Sequence, residues 1–202
     1  MLLGLVAVGA YTSYSNADDT VTREANAVGV LYRDASNYPE PLRSELRTNI
    51  SRYIDVVVNQ EFPAAHQGKL LAAATPTATI IEAEISSFVP TNPGQTALDE
   101  ETFRQFGDLI NDRNSRLGLA HPAIPGELWL VLIAGAVINF ALVAALGMDR
   151  LAAHFAFSGT FALLLGLILV LIVGLDQPFL GDYSISADAF ERIRDVVIPQ
   201  IH

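Results

Sequence analysis

LWLVLIAGAVINFALVAALG, residues 128–147, and LAAHFAFSGTFALLLGLILVLIVGL, residues 151–175, are two apolar runs separated only by Met148, Asp149 and Arg150. The first contains one strongly polar residue, Asn139, and no charge; the second contains no Asp, Glu, Lys or Arg. A helix rises ~1.5 Å per residue, so about 20 residues cover the ~30 Å hydrocarbon core of a bilayer. Both runs reach that length. A chain of 202 residues offers too little surface to bury two such helices on every side. The stretch therefore predicts a transmembrane hairpin, residues 128–175, in an all-α membrane protein that embeds in the lipid bilayer.

Composition agrees and excludes several classes. Hydrophobic residues make up 51% of the chain, high for a soluble protein of this size. A net charge of −10, with only 12 Lys and Arg and no basic stripe, argues against a nucleic-acid partner. The lack of cysteine removes disulfides, thiolate metal sites and thiol nucleophiles. The four histidines, 66, 121, 154 and 202, are too far apart for a metal motif, so no metal and no cofactor is predicted. No nucleophile–base pair, P-loop or glycine-rich phosphate cradle is visible, which points away from an enzyme.

Upstream of the hairpin, Leu2 to Tyr11 is apolar but only about half a span long. One reading is a signal peptide, with Val8-Gly9-Ala10 as its small-residue cleavage site; the positive n-region is missing. The favoured reading is a shortened or truncated N-terminal span, residues 1–17, finishing near Asn16 with Tyr11 and Tyr14 at the interface. From Asp18 a helical period continues through Val21, Ala25, Val28, Tyr32 and Ala35, so the span should run into a stalk.

Residues 18–127 read as a helical, cytoplasmic domain. Asn37 to Pro41 breaks the stalk, and Leu42, Leu46, Ile50, Tyr53, Ile54 and Val57 make a second amphipathic helix, with Arg43, Arg47 and Arg52 facing away. Pro63 should end or kink it. A short helix is predicted over Thr79–Phe88, then a loop from Pro90 to Gly94. Thr96, followed by Asp99, Glu100 and Glu101, reads as the start of a further helix buried through Phe103, Phe106, Ile110 and Leu117. Arg113 and Arg116 before Gly118 suit its C-terminal dipole. His121 to Glu127, with Pro122 and Pro125, makes a rigid lead-in to the hairpin, where Trp129 sits at the interface.

Residues 176–202 form a tail on the same side as the domain. Asp176 to Tyr183 cannot stay helical, Ser186 can cap a last helix, and Phe190, Ile193 and Val197 give that helix one apolar face before Pro199. It should lie on the domain or the membrane surface. Nine of the 12 basic residues fall in the domain and two in the tail, leaving Arg150 opposite, which favours a cytoplasmic placement.

The order of features resembles the bestrophin-like domain family of bacterial integral membrane proteins of unknown function. The resemblance rests on Glu24 to Gly29, Pro39-Glu40-Pro41-Leu42-Arg43, Leu109 to Arg116, Ile124 to Trp129, and Leu175-Asp176-Gln177-Pro178-Phe179, which thread nearly the whole chain in order. Against that family the chain begins part-way through the second of two N-terminal spans. Bestrophins are oligomeric anion channels with an acidic-Pro-Phe-Gly segment after the last span, which Asp176, Pro178, Phe179 and Gly181 match loosely, Leu180 intervening. The resemblance implies a protein of the bacterial inner membrane and a homo-oligomeric, channel-like assembly for small anions. The alternative is a non-catalytic accessory subunit that packs its hairpin against a larger membrane complex.

Within the spans, the pore or helix-packing candidates are Asn139, His154, Ser158 and Thr160. Burying the Asn139 amide unpaired costs a few kcal/mol, so an interhelical hydrogen bond is its simplest role and pore lining the sharper one. His154 reads as an interfacial polar residue or a proton relay. Gly135, Gly147, Gly159 and Gly166 allow helices to approach closely. The family-motif set is Glu24, Asn26, Asn111, Arg113, Arg116, Pro125, Trp129, Asp176, Pro178 and Phe179, with an Arg–carboxylate pair expected to join stalk to domain.

Overall fold

The helical periods become helices throughout. The fold comes from a computed structural model that describes residues 2–122, 124–145, 151–181 and 184–197. Its elements are α1 (Leu2–Ala35), α2 (Leu42–Val56), a π-helical turn (Val57–Glu61), α3 (Phe62–His66), α4 (Thr75–Ser86), α5 (Pro93–Leu119), α6 (Gly126–Ala145), α7 (Leu151–Asp176) and α8 (Asp188–Val197), with no strand among the described residues. Met148, Asp149 and Arg150, together with Gly147, Ala123, Asp182, Tyr183, the Val197 side chain and Pro199, lie outside the described residues.

Two compact units result, one formed by Met1–Ser15 and Pro122–Pro178, the other by Asn16–His121 and Phe179–His202. In the first, α6 and α7 pack on each other. Gly126–Ala145 and Ala152–Asp176 are the two described helices long and apolar enough to cross a membrane. Leu132 and Ile172 are buried, whereas Leu130, Val137, Leu142, Leu163, Leu167 and Val170 are exposed. A Cβ added at Gly135, Gly159 or Gly166 would meet nothing within 4 Å, so these glycines are not used for close approach within the chain. Residues 2–15 are the first part of α1.

In the second unit, α1 buries Val21, Ala25, Val28, Tyr32 and Ala35. Leu46, Ile50, Tyr53, Ile54 and Val57 are buried along α2 and the π turn, and α4 covers them with Ile81 and Ile85. Of the predicted outward set, Arg52 is exposed, while Arg43 and Arg47 are partly covered. Arg47 Nη2 donates to the Tyr32 hydroxyl at 2.8 Å with its guanidinium over that ring, and Arg43 Nε donates to the Tyr38 carbonyl at 2.8 Å. Long arginine stems cover apolar surface while the fork finds an acceptor.

Pro63 does not end its helix. Proline lacks an N–H and its ring collides with the carbonyl four residues back, and the widened π turn just before it absorbs that conflict. Helix α4 starts at Thr75, ahead of the predicted Thr79, because Pro76 suits a first turn. Helix α5 starts earlier too. Its cap is Asn92, extended in backbone, whose Oδ1 accepts from Gln95 N at 3.0 Å with Pro93 following; Thr96 lies inside the helix. Its buried face is Thr102, Phe106, Leu109, Arg113 and Arg116, while Phe103 is exposed. Helix α8 packs on α2, its Phe190 ring also lies 6.0 Å from Phe62 at the start of α3, and Asp188 N donates to Ser186 Oγ at 3.4 Å.

Candidate functional site

Two arginines on the buried face of α5 organise the domain. Arg113 and Arg116 are three residues apart, so their side chains leave the helix on one side. Arg116 donates from Nε to Glu24 Oε2 at 2.5 Å and from Nη2 to Glu24 Oε1 at 3.1 Å and Glu61 Oε2 at 2.8 Å. Arg113 grips Glu61 with both arms, Nη1 to Oε2 at 3.0 Å and Nη2 to Oε1 at 2.9 Å, and also reaches Thr75 Oγ1 at 3.1 Å and the Tyr53 hydroxyl at 3.4 Å. Tyr53 donates to Glu24 Oε1 at 2.7 Å, and the backbone N–H of Ala74 donates to Glu61 Oε1 at 2.8 Å. The four charged side chains are at most 5% exposed.

Two carboxylates against two guanidiniums leave the network neutral. Burial pushes Glu61 upward, but hydrogen bonds from Arg113, Arg116 and Ala74 outweigh it and hold the carboxyl below its ordinary range. Burial and the neighbouring Glu24 push Tyr53 well above its ordinary value, so its hydroxyl stays a donor. Both arginines are held above their ordinary value, their carboxylate partners outweighing burial. Four segments, α1, α2 with the π turn, the start of α4, and α5, are thereby tied at one point. The network holds neither an uncompensated cation nor an unbonded carboxylate oxygen, so its chemistry is that of a fastening.

The expected Arg–carboxylate link between stalk and domain is there, as Glu24 with Arg116. The arginines serve these carboxylates, and Arg116 also stands in the last turn of α5, where a cation suits the helix dipole. Tyr53, Glu61 and Thr75 complete the network; the sequence pattern marks Tyr53 only as part of an apolar face and does not mark Glu61 or Thr75. Glu61 was detectable as the one carboxylate among Val57, Val58 and Phe62 on the buried face. Asn26 and Asn111 are not members: both are exposed, on a shallow groove where Arg23 Nε donates to Asp112 Oδ1 at 3.1 Å.

A second polar junction lies in the other unit. Asp176, the last residue of α7, is buried and accepts from Ile124 N at 2.7 Å and from Trp129 Nε1 at 3.3 Å. It closes the lead-in of α6 onto the end of α7. Pro125 is exposed, and its carbonyl accepts the Leu128 N–H at 3.0 Å in the first turn of α6. Pro178 is buried; Phe179 is buried against Phe62 at 6.2 Å.

The four candidates within the apolar helices make no described side-chain bond to one another. Asn139 does not reach a neighbouring helix: its Nδ2 donates to Gly135 O at 2.8 Å, in its own helix, and it faces outward. Thr160 behaves alike, bonding to Ala156 O at 2.8 Å. Such back-bonds to the preceding turn satisfy a polar side chain locally. His154 is half-buried beside Phe155, and Ser158 Oγ is buried with no partner among the described residues.

These features define an all-α protein with a polar-fastened helical unit and two long apolar helices closed by an aspartate. The chain belongs to the bestrophin-like domain family, whose model matches residues 1–190. No curated protein and no solved structure matches it. The family and the two apolar helices together point to a membrane protein of the bestrophin kind.

Proposed function

We propose that this chain acts as a homo-oligomeric, channel-like assembly for small anions in the bacterial cytoplasmic membrane, with residues 18–127 and the tail on the cytoplasmic side. The observation that carries the reading is the uncovered surface of α6 and α7, in which nearly every apolar side chain is exposed or half-buried and almost none is buried. Lipid can cover part of that surface. Two helices enclose no path, so conduction needs copies around an axis, with Asn139 and Thr160 turned toward it. The open surface at Gly135, Gly159 and Gly166 suits close helix association between copies.

The test joins the mass of the natively extracted particle to recordings in planar bilayers. An integer multiple of the chain's own mass together with an anion-selective current is the expected result. A monomer that stays electrically silent would remove the reading.

A non-catalytic accessory subunit is the second reading. It is favoured by the neutral network, in which both buried arginines are spent on Glu24 and Glu61 and neither is left for an anion. Unrelated polypeptides in fixed ratio with this chain would support it.

A further inference from the structure

We infer that the turn Lys69-Leu70-Leu71, together with Leu180, is a lipid-contacting edge of the helical unit, seated at the headgroup boundary of an anionic bilayer. The turn is held in place. Lys69 N and Gln67 N both donate to Ala64 O, at 2.9 and 3.0 Å, and Gly68 takes the left-handed φ of 73° that this helix ending requires. A side chain at Gly68 would also press on Leu180, whose Cδ1 lies 3.3 Å from the Cβ position. What the turn then presents is apolar: Leu70 is 52% exposed, Leu71 42% and Leu180 41%.

The location supplies the occupant. Leu70 and Leu71 line a cleft with Leu117, Ala120 and Phe179. Leu117 and Ala120 end the helix that leads to α6, and Phe179 follows the end of α7. At ~3.5 Å per residue, chain length alone keeps Phe179 within about 11 Å of Asp176 and Ala120 within about 21 Å of Gly126. The patch therefore gathers where the chain passes to and from its two apolar helices, and the inference rests on the reading that those helices span a bilayer. Lys69, the only lysine in the sequence, sits beside the leucines with its Nζ exposed next to Gln67. Leucines entering the acyl boundary with an ammonium at phosphate level is the chemistry of an interfacial contact.

The cysteine-free sequence makes the test direct. Leu70→Cys, Leu71→Cys, Val89→Cys and Val170→Cys, each labelled with one environment-sensitive fluorophore, are reconstituted as full chains in phosphatidylcholine–phosphatidylglycerol vesicles. Quenching by lipid bearing a shallow nitroxide is compared with quenching by a water-soluble nickel chelate. Labels at 70 and 71 should favour the lipid quencher by about threefold or more over the label at 89, which lies on an exposed loop residue. Equal behaviour at 70, 71 and 89 overturns the inference. Shielding of 70 and 71 from both quenchers overturns it as well, since a protein surface then covers the patch. The label at 170 separates the two levels: if lipid reaches it but not 70 and 71, only this inference fails, and if lipid does not reach it, the membrane-spanning reading fails first.

Discussion

Arg116 and Glu24 stand 92 positions apart and meet through two hydrogen bonds, with the arginine 5% and the glutamate 0% exposed. The pair pins the stalk helix α1 to the last turns of α5. Removing one partner of a buried pair leaves a bare charge in a poor solvent and costs about 3–5 kcal/mol, whereas removing both charges can be nearly neutral. Arg116→Met should therefore lower the thermal midpoint of the detergent-solubilised protein strongly. Arg116→Met with Glu24→Gln should recover most of the loss, since Arg113 and Glu61 remain a neutral pair. Arg104→Ala, which breaks only the exposed pairs to Glu101 and Asp108, is the control that should change little. A single variant as mild as that control would show that the network fastens nothing.

Acid should act in opposite directions on two glutamates of the same domain. Glu61 is held below its ordinary value of 4.5, so its contribution to stability is complete above about pH 4.5 and is lost as pH falls through the lower folded value. Glu84 is pushed up, first by burial and then by Glu45, with Oε2 buried and unpartnered among the described residues while Asn49 bonds Oε1. Its folded value lies above its unfolded one, so its charge costs stability at neutral pH and the cost disappears as pH falls toward 4.5. Glu84→Gln should raise the melting temperature at pH 7 and make no difference near pH 4; Glu61→Gln should lower it at pH 7. Melting curves from pH 4 to 8 decide the matter, and a Glu84→Gln protein less stable at pH 7 would contradict it.

The core of this fold was legible because burial imposes periodicity. Val21, Ala25, Val28, Tyr32 and Ala35 recur at helical spacing and are all buried, and the apolar runs at 128–147 and 151–175 supply most of the two long apolar helices, Gly126–Ala145 and Ala152–Asp176. Helix starts were read late where proline competes with acidic residues as the signal. Asn92-Pro93 fixes the start of α5 more strongly than Thr96 with its acids, because an extended cap and a preset φ act before any dipole effect. Half of the polar network was legible as well, through Glu24 and the two arginines. Glu61 was hidden because charge in an apolar run gives no hint of its partner, which depends on how α5 crosses the π turn. The bond of Asn139 within its own helix was not legible for a similar reason: a carbonyl one turn back satisfies its amide N–H without any second helix.

Gly29 marks where α8 lies against the stalk. A Cβ there would come within 3.1 Å of Ile193 Cδ1 and 3.4 Å of Cγ2. Gly29→Ala sets a helix-propensity gain of about 1 kcal/mol against a displacement of one flexible side chain, so its net effect should be small. Gly29→Leu cannot be absorbed in that way. It should lift α8 from the domain and free its backbone for tryptic cleavage after Arg192 and Arg194, while Gly29→Ala remains as resistant as the parent. Equal cleavage of all three proteins would show that α8 is not held at this contact.

Asp176 closes the α6–α7 pair with one carboxylate, and Trp129 makes the closure measurable because it is the only tryptophan in the sequence. The carboxylate takes a backbone N–H from Ile124 and the indole N–H from Trp129, and hydrogen bonds to a charged acceptor are each worth about 1.5–3 kcal/mol. Asp176→Ala loses both bonds and leaves the Ile124 N–H without its acceptor. Asp176→Asn keeps one acceptor oxygen and replaces the other with a donor, so one of the two N–H groups loses its partner. The indole N–H resonance of Trp129 should move upfield and exchange with solvent faster in Asp176→Ala, with Asp176→Asn between it and the parent. The melting temperature should fall in the same order. An indole resonance and exchange rate unchanged in Asp176→Ala would mean that Trp129 is held by its ring packing alone and that the carboxylate does not close the helix pair.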